Sequence, residues 1–500
     1  MKKIYKILAV SSLLFASSVG CTSSFDEINT DPDAFTSVPY TNVLADVLRR
    51  TGEQFGGDLD IAQWAGYVSS IQYLNDYSGY IPTNNTYGNR WSHCYWGHTQ
   101  LQDILDKTEN AAELNKNIRN VSVLMQNYLM FMAVNCFGDV PYSEAFKGAE
   151  DKGSVFKSSY DKQADIYPIL LANLKSVADS WAEGLGNDNL GEGDFLFNED
   201  VKQWQRFCNS IRLRIAMRIS GVYPESKAII EEIFNNPDKY PYIAETKENA
   251  YFWWQGSGDY FERYYNNFRT RDDDGMADIF IDHLKMMEDP RIAVIAKPAE
   301  SDGEYRGFEN GSKTDPENRK AISRIGVKYR EDPAGFSPFY RACESYFIMA
   351  EAALNGWNVP MTAAEAYEKA VRLSMADNEI EDADTEAYLA GKGKWDGTYA
   401  RLYFEQWVAL FKQNIEAWSL YRRTGYPTYI HTAKAADGVS PKYPGARSGF
   451  NGIHNDVPFR FPYPNNQYLY NLDYLKAASA NVVDYVWGEQ LWWDKRTGVN

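Results

Sequence analysis

Two stretches of this 500-residue chain set aromatic rings densely beside amide and guanidinium groups. In the first, Trp64, Tyr67, Tyr73, Tyr77, Tyr80, Trp91, Tyr95 and Trp96 mix with Asn75, Asn84, Asn85, Asn89 and Arg90. In the second, Trp253, Trp254, Tyr260, Tyr264 and Tyr265 stand with Gln255, Asn266, Asn267 and Arg269. Indole and phenol faces stack on the C–H faces of sugar rings, while amides and guanidinium groups hydrogen-bond the hydroxyls. The candidate ligand-binding residues are therefore Trp64, Tyr77, Asn89, Trp91, Trp96, Trp253, Trp254, Tyr260, Tyr264 and Arg269. The competing role for each is to anchor a loop to the body of the protein, and for any single ring that is the default.

Other chemistries find little support, and no pattern asks for an enzyme, a cofactor or a bound metal. The five histidines, at 93, 98, 283, 431 and 454, are scattered and form no HExxH. There is no GxSxG or GxxxxGK[ST], and Gly256-Ser257-Gly258 lacks a third glycine and a preceding strand. Glycoside hydrolysis needs two facing carboxyl groups. Glu405 and Glu416 lie on a strongly amphipathic helix, where ion pairs with Arg206, Arg212, Arg214 and Arg218 are the expected role. Asp272-Asp273-Asp274-Gly275 resembles part of a calcium loop, but the register puts Thr270 at position 1 and Ile281 at position 12, where carboxylates are required. A solvated acidic turn is expected instead. Cys94, Cys136, Cys208 and Cys343 are far apart without CxxC spacing, so no dense disulfide framework is expected, although one or two bridges remain open.

The elements that must position these groups read as helices. Val121, Leu124, Met125, Tyr128, Leu129 and Met132 form one apolar stripe, ended by Gly138 and Pro141. Ile166, Ile169, Leu170, Leu174, Val177 and Trp181 repeat the pattern, and a third helix with a basic face spans 201–221. Tyr346 to Trp357 and the helix opened by Thr362-x-x-Glu365 pair as a tetratricopeptide-like hairpin. One long helix is expected over 399–424. Irregular segments are expected at about 60–100, 240–280, 295–340 and 427–475, with strands limited to short hairpins. The fold expected is all-α: tetratricopeptide-like helix pairs carrying a long-loop, aromatic-rich capping region.

The N-terminus has its own chemistry. Lys2, Lys3 and Lys6 precede the apolar and small-residue run 7–19, which ends at Gly20-Cys21. This is the plan of a secretory leader with a cysteine placed for acylation, and the run is too short to span a bilayer. Ser18 stands where lipoprotein leaders usually carry an aliphatic residue. The expected organisation is a signal peptide over 1–20, a lipid-anchored tether over 21–37 acylated at Cys21, and one helical domain over 38–500. Ligand-binding excursions are expected at about 60–100 and 240–340. The net charge is −17, and loss of the leader's three lysines leaves −20. Such acidity argues against nucleic acid and against electrostatic adhesion to anionic lipid.

Several segments in order resemble one family. They are Phe137-Gly138-Asp139-Val140-Pro141-Tyr142-Ser143-Glu144-Ala145, then 202–214 (KQWQRFCNSIRLR), Asp289-Pro290-Arg291 and Ala350-Glu351-Ala352-Ala353. Glu416-Ala417-Trp418 with Tyr421–Pro427, Arg460-Phe461-Pro462-Tyr463-Pro464 and Trp492-Trp493-Asp494 follow. Together they resemble the SusD/RagB-type nutrient-binding lipoproteins of Bacteroidetes across essentially the whole mature chain. The resemblance implies an outer-membrane lipoprotein facing outward, a lid on a SusC-type TonB-dependent transporter that captures oligosaccharides, or in some members peptides, for import. Asp26 and Glu27 look like the family's surface-export signal. The family's motifs are mostly structural, so the ligand residues rest on the aromatic-loop argument. A few stacked rings at about 0.5–1.5 kcal/mol each imply affinity in the micromolar-to-millimolar range. The alternatives are a peptide-binding member, a surface glycoside hydrolase and a ligand-free helical scaffold.

Overall fold

The computed structural model describes residues 39–73, 83–148, 157–310, 312, 315–430, 457–482 and 487–499. The leader, Cys21, the tether and Tyr77 lie outside the described residues. The longer helices are α1 (Tyr40–Phe55), α2 (Leu59–Trp64), α3 (Asn84–Lys107), α4 (Lys116–Phe137), α5 (Gln163–Glu183) and α6 (Val201–Arg218). Then come α7 (Ser226–Asn235), α8 (Arg263–Phe268), α9 (Asp278–Met286), α10 (Ala342–Leu354), α11 (Ala363–Asp377) and α12 (Asp382–Ala390). The series closes with α13 (Tyr399–Ala409), α14 (Asn414–Thr424), α15 (Asn465–Tyr470) and α16 (Leu472–Ala478). The fold is all-α, and no described helix is long and apolar enough to cross a membrane.

Successive helices from α3 to α7 pack as neighbours, and α10 packs against α11 and α13. The α4 stripe from Val121 to Met132 is buried throughout. Each such side chain contributes roughly 1.5–3 kcal/mol of hydrophobic stabilisation. The hairpin α10–α11 has the tetratricopeptide-like form, with Ala350, Ala366 and Ala370 fully buried, so that the two helices approach closely. Its second helix opens on a complete capping box: the Thr362 N–H donates to Glu365 Oε2 at 2.9 Å, and the Glu365 N–H donates back to Thr362 Oγ1 at 3.3 Å.

Three expectations are corrected. The helix over 399–424 is two helices, because Lys412 takes φ +74°, which no α-helix can continue. That turn drives the Lys412 ammonium inward to Glu262 at 2.9 Å, with both side chains wholly inaccessible, and sets it 4.6 Å from the Phe336 ring centroid. Apolar periodicity missed the break because Leu410, Phe411 and Ile415 are buried on both sides of it. Second, much of the supposed loop at 60–100 is helix α3. Tyr87, Trp91, Cys94, Leu101 and Ile104 form its buried stripe, interleaved with enough Asn, Gly and His to look irregular. Third, the acidic run is only in part a solvated turn: Asp272 stays exposed, but the first two carboxylates are paired and the last one is buried. Asp272 pairs with Arg324 at 2.9 Å and Arg330 at 3.0 Å, Asp273 with Arg271, and Asp274 is buried in a strand. Among the described residues no group of three His, Cys, Asp or Glu could hold a metal ion.

The strands are short, but they join distant segments. β1 (Val68–Ser70) pairs antiparallel with β3 (Asp274–Met276), β2 (Ala250–Trp253) with β6 (Phe336–Tyr340), and β4 (Ala296–Lys297) with β5 (Arg324–Ile325). In the second pair Trp253 stands opposite Phe336, with a bulge at Ala250/Tyr251. These ladders staple the irregular segments to the helical body.

Arg212, Arg214 and Arg218 of α6 face inward. Arg214 forks onto Glu344 at 2.6 and 2.7 Å, Arg218 meets Glu416 at 2.5 Å, and Arg212 meets Glu232 at 2.8 Å. Burial works against the Glu416 charge, but Arg214 and Arg218 outweigh it and hold the carboxyl below its usual range. Glu405 is held by Arg291 at 2.6 Å, which also grips Asp289. Both glutamates therefore have the expected ion-pair role, although the partner of Glu405 lies outside the arginine-rich helix. The four described cysteines are buried and unpaired, and burial pushes the Cys136 and Cys208 thiols up to about 12.

Candidate functional site

The β2 strand carries aromatic residues on both faces. Phe252 and Trp254 turn inward and are 4 % and 6 % exposed, whereas Trp253 is 57 % exposed. Period-two alternation sends Trp253 to the face opposite Phe252 and Trp254, and its place at the end of the strand leaves it open where Tyr251, on the same face, is buried. The buried side is well fixed: Trp254 Nε1 donates to Ser337 Oγ at 3.0 Å, and the Phe252 and Trp254 rings meet edge to face at 5.1 Å. Trp253 itself leans on Phe336 with centroids 5.3 Å apart, which holds the indole upright while leaving its far side open.

After β2 the chain reverses through Gly256. Its φ is +69°, and a Cβ there would approach the Ala334 backbone nitrogen to 2.9 Å, so the turn requires glycine. The Gly256 N–H donates to the Tyr260 carbonyl at 3.0 Å and the Tyr260 N–H to the Ser257 carbonyl at 3.1 Å. This turn presents Tyr260, which is 45 % exposed. A strand does precede Gly256-Ser257-Gly258, contrary to expectation, but it leads into this tight reversal and not into a helix.

Helix α1 closes the other side with Asn42, Ala45, Asp46 and Arg49, residues that share one helical face. Arg49 donates to Asp46 at 2.8 Å and to Glu53 at 3.2 Å, and its guanidinium lies 5.7 Å from the Tyr260 ring centroid. Arg50 donates to the same Asp46 at 3.0 Å. Burial would raise the Asp46 pKa, but the hydrogen bonds from both arginines outweigh it and keep the carboxylate ionised below its usual range. Phe195, 43 % exposed, forms the third wall and meets Phe252 edge to face at 6.3 Å.

The result is a groove of roughly 300 Å³ lined by Trp253, Tyr260, Phe195 and the α1 face. The Trp253–Phe195 ridge also borders a neighbouring hollow of roughly 420 Å³, lined by Asn198, Gln203, Lys247 and Asn249. Exposed ring faces thus stand beside the Asn42 and Gln255 amides, whose side chains bond no described residue. Such a surface can stack on a flat apolar face and hydrogen-bond the groups at its edge.

Among the residues anticipated from sequence, Trp253 and Tyr260 meet in this groove, and Trp254 forms its buried back wall. Trp64 and Tyr264 have no accessible surface. Trp64 packs against Trp418 at 5.0 Å and Phe461 at 5.4 Å; the Tyr264 hydroxyl accepts from Asn414 Nδ2 at 3.0 Å, and the Lys412 ammonium lies 5.1 Å from its ring centroid. Trp91 is 3 % exposed and packs edge to face on Phe137. These three rings are corrected to core positions, since a buried face cannot stack on a ligand. Trp96 is half-buried on α3 with Arg50 over its ring at 4.7 Å, so it touches the groove only through Arg50 and Asp46. Asn89 is exposed on α3, and exposed Arg269 covers the Phe261 ring at 4.4 Å; neither lines the groove. Phe195, Asp46 and Arg49 were missed. The signal for Phe195 was present, an aromatic residue directly after the polar Gly191-Glu192-Gly193-Asp194, whereas Asp46 and Arg49 read as an ordinary polar helix face.

Comparison with known proteins places this geometry in context. Residues 32–448 match the family model described as "Starch-binding associating with outer membrane", SusD-like. A solved chitin-binding protein superimposes with a TM-score of 0.76 at 22% identity, covering 92% of this chain and 100% of its own. A SusD homologue from Bacteroides uniformis gives the same values, a TM-score of 0.76, 22% identity and coverage of 92% and 100%. A chitin-binding SusD homologue from Flavobacterium johnsoniae has a TM-score of 0.75 at 21% identity, with 91% of this chain and 97% of that one covered. No curated protein sequence matches the chain at a significant level.

Proposed function

The chain belongs to the SusD-like family of outer-membrane-associated proteins, and from that membership and the open Trp253 groove we propose that it captures oligosaccharides by aromatic stacking. The observation that carries the reading is the exposure of Trp253, the one exposed tryptophan among the described residues, and of Tyr260 beside uncommitted amides. A stacked ring contributes about 0.5–1.5 kcal/mol, so two or three of them with hydrogen bonds support micromolar-to-millimolar binding. That range suits capture followed by release. The chitin-binding relatives make chitin and starch oligomers the first ligands to try.

A binding role fits the groove better than hydrolysis. Among its lining residues the one carboxylate is Asp46, already committed to Arg49 and Arg50, while glycoside hydrolysis takes two facing carboxyl groups. In our reading Cys21 is acylated, the tether over 22–37 lets the body stand off the outer membrane on its outer side, and the captured sugar passes to a SusC-type TonB-dependent transporter. The test is titration of the soluble form, residues 22–500, with chitohexaose, maltohexaose and mixed peptides, followed by an assay for reducing-sugar release. Saturable sugar binding without hydrolysis, weakened about tenfold by Trp253→Ala, is the expected result. Binding of peptides alone would move the protein to the peptide-capturing branch of the family, and release of reducing ends would contradict the binding role. Labelling with palmitate, lost in Cys21→Ala, tests the anchor, and co-purification with a TonB-dependent transporter tests the hand-off.

A further inference from the structure

A second hollow, of roughly 340 Å³, lies where α3, the Pro141–Ala145 turn and α15–α16 meet, and it shares no lining residue with the Trp253 groove. Its chemistry is unusual for so acidic a chain. A quarter of all residues are charged, yet every side chain lining this hollow is neutral. Tyr470 stands at its rim with 70 % of its surface exposed, between Leu469 at 74 % and Tyr474 at 41 %. Tyr95 forms the opposite wall with the buried Trp91 ring packed behind it at 5.0 Å, and Tyr95 is fixed there by its hydroxyl donating to the Pro141 carbonyl at 2.8 Å. One open ring therefore faces a rigid aromatic wall.

The polar groups between them are partly committed and partly free. Gln467 Oε1 accepts from the Tyr160 hydroxyl at 2.9 Å, which holds the side chain in place, and its Nε2 makes no hydrogen bond to any described residue. Asn471 is 6 % exposed, its Nδ2 donates to the Ser158 carbonyl at 2.9 Å, and its Oδ1 has no partner among the described residues. Ser92 and Asn466, both exposed, make no side-chain hydrogen bond to any described residue. Free donors and free acceptors are thus interleaved. An anion would call for donors backed by positive charge, and a cation for acceptors alone. A peptide would call for an apolar pocket or an open strand edge to pair with. A sugar hydroxyl donates and accepts at once, and a pyranose has an apolar face to lay on Tyr470.

We propose that this hollow is a second carbohydrate site, taking an uncharged oligosaccharide independently of the Trp253 groove. The two sites give the chain two separate grips on a polysaccharide, and linked weak grips raise avidity without new contacts at either.

The test uses chitohexaose and maltohexaose as probes against the soluble wild type, Trp253→Ala, Tyr470→Ala and the double variant, by titration and saturation-transfer NMR. Tyr470 is mostly solvent-exposed, so its removal leaves the fold intact, and Asn466→Ala serves as a second probe of the same hollow. The expected result is that W253A retains saturable binding of at least one sugar. Adding Tyr470→Ala or Asn466→Ala to it weakens that binding at least tenfold, while Y470A alone leaves the Trp253-dependent phase within twofold. Residual binding in W253A that ignores both second substitutions would overturn the second site. Loss of all sugar binding in W253A would overturn it too while supporting the first groove, and failure of the wild type to bind either sugar would sink both.

Discussion

Trp64 and Trp253 carry the same side chain into opposite surroundings, and the contrast sets the residue-scale expectations. Trp64→Ala removes a fully buried indole from a cluster with Trp418 and Phe461, and should cost about 3–5 kcal/mol in urea unfolding. Trp253→Ala removes a largely solvated ring and should stay within about 1 kcal/mol. Equal losses would mean that Trp253 is a packing residue. Sequence could find both tryptophans but could not separate them, because Trp64 is buried by partners some 350–400 positions away. Trp253 and Tyr260 were legible as aromatics in a polar segment, and Phe195 carried the same signal unheeded. Asp274 supplies a second expectation. Burial, then the nearby Asp60 and Asp273 charges, push its carboxyl up to about 7, with only weak bonds from Gln63 at 3.3 Å and Ser70 at 3.4 Å. The folded protein holds this proton more tightly than the unfolded chain, so this group's contribution is fully present below about pH 4 and falls away as pH rises to about 7. Asp274→Asn should therefore stabilise by about 1–4 kcal/mol at pH 8 and by clearly less at pH 5. The same urea midpoint shift at both pH values would contradict that account.

Elements were legible wherever one helix buries one continuous stripe. The α4 and α5 helices and the capped α10–α11 hairpin stand where periodicity put them. The α13–α14 break and α3 did not, for opposite reasons. At the break the apolar pattern runs on while the backbone turns at Lys412, and in α3 the backbone is regular while the pattern is diluted by polar residues. The Lys412–Glu262 pair turns this break into a support. Glu262 also caps α8 by accepting from the Tyr265 N–H at 2.8 Å, so one buried contact ties the α13–α14 turn to the segment that follows Tyr260. Burial lowers the Lys412 pKa, and Glu262 pulls the other way without fully restoring it. Lys412→Met should strand the Glu262 charge and destabilise by about 3–5 kcal/mol, and adding Glu262→Gln should recover part of that loss. A double variant no more stable than Lys412→Met alone would show that the pair is not the support described.

At the scale of the molecule, one apolar cluster runs from Leu44 to Val499 and draws on helices along the whole chain. The four described thiols sit inside it, so they should react with a thiol reagent only as fast as the body unfolds, and rapid reaction of any of them in native buffer would reveal local opening. The architecture was legible because ordered motifs matched a family, whereas the site was legible only in part because ligand residues are chosen by exposure. Exposure is a property of the folded whole. The most direct measurement is a calorimetric titration of residues 22–500 with chitohexaose and maltohexaose, wild type beside a Trp253→Ala/Tyr260→Ala variant of matched stability. Our account predicts saturable heat with at least one sugar and a Kd raised at least tenfold in the variant. An unchanged Kd in the variant, or no sugar binding by the wild type, would contradict it.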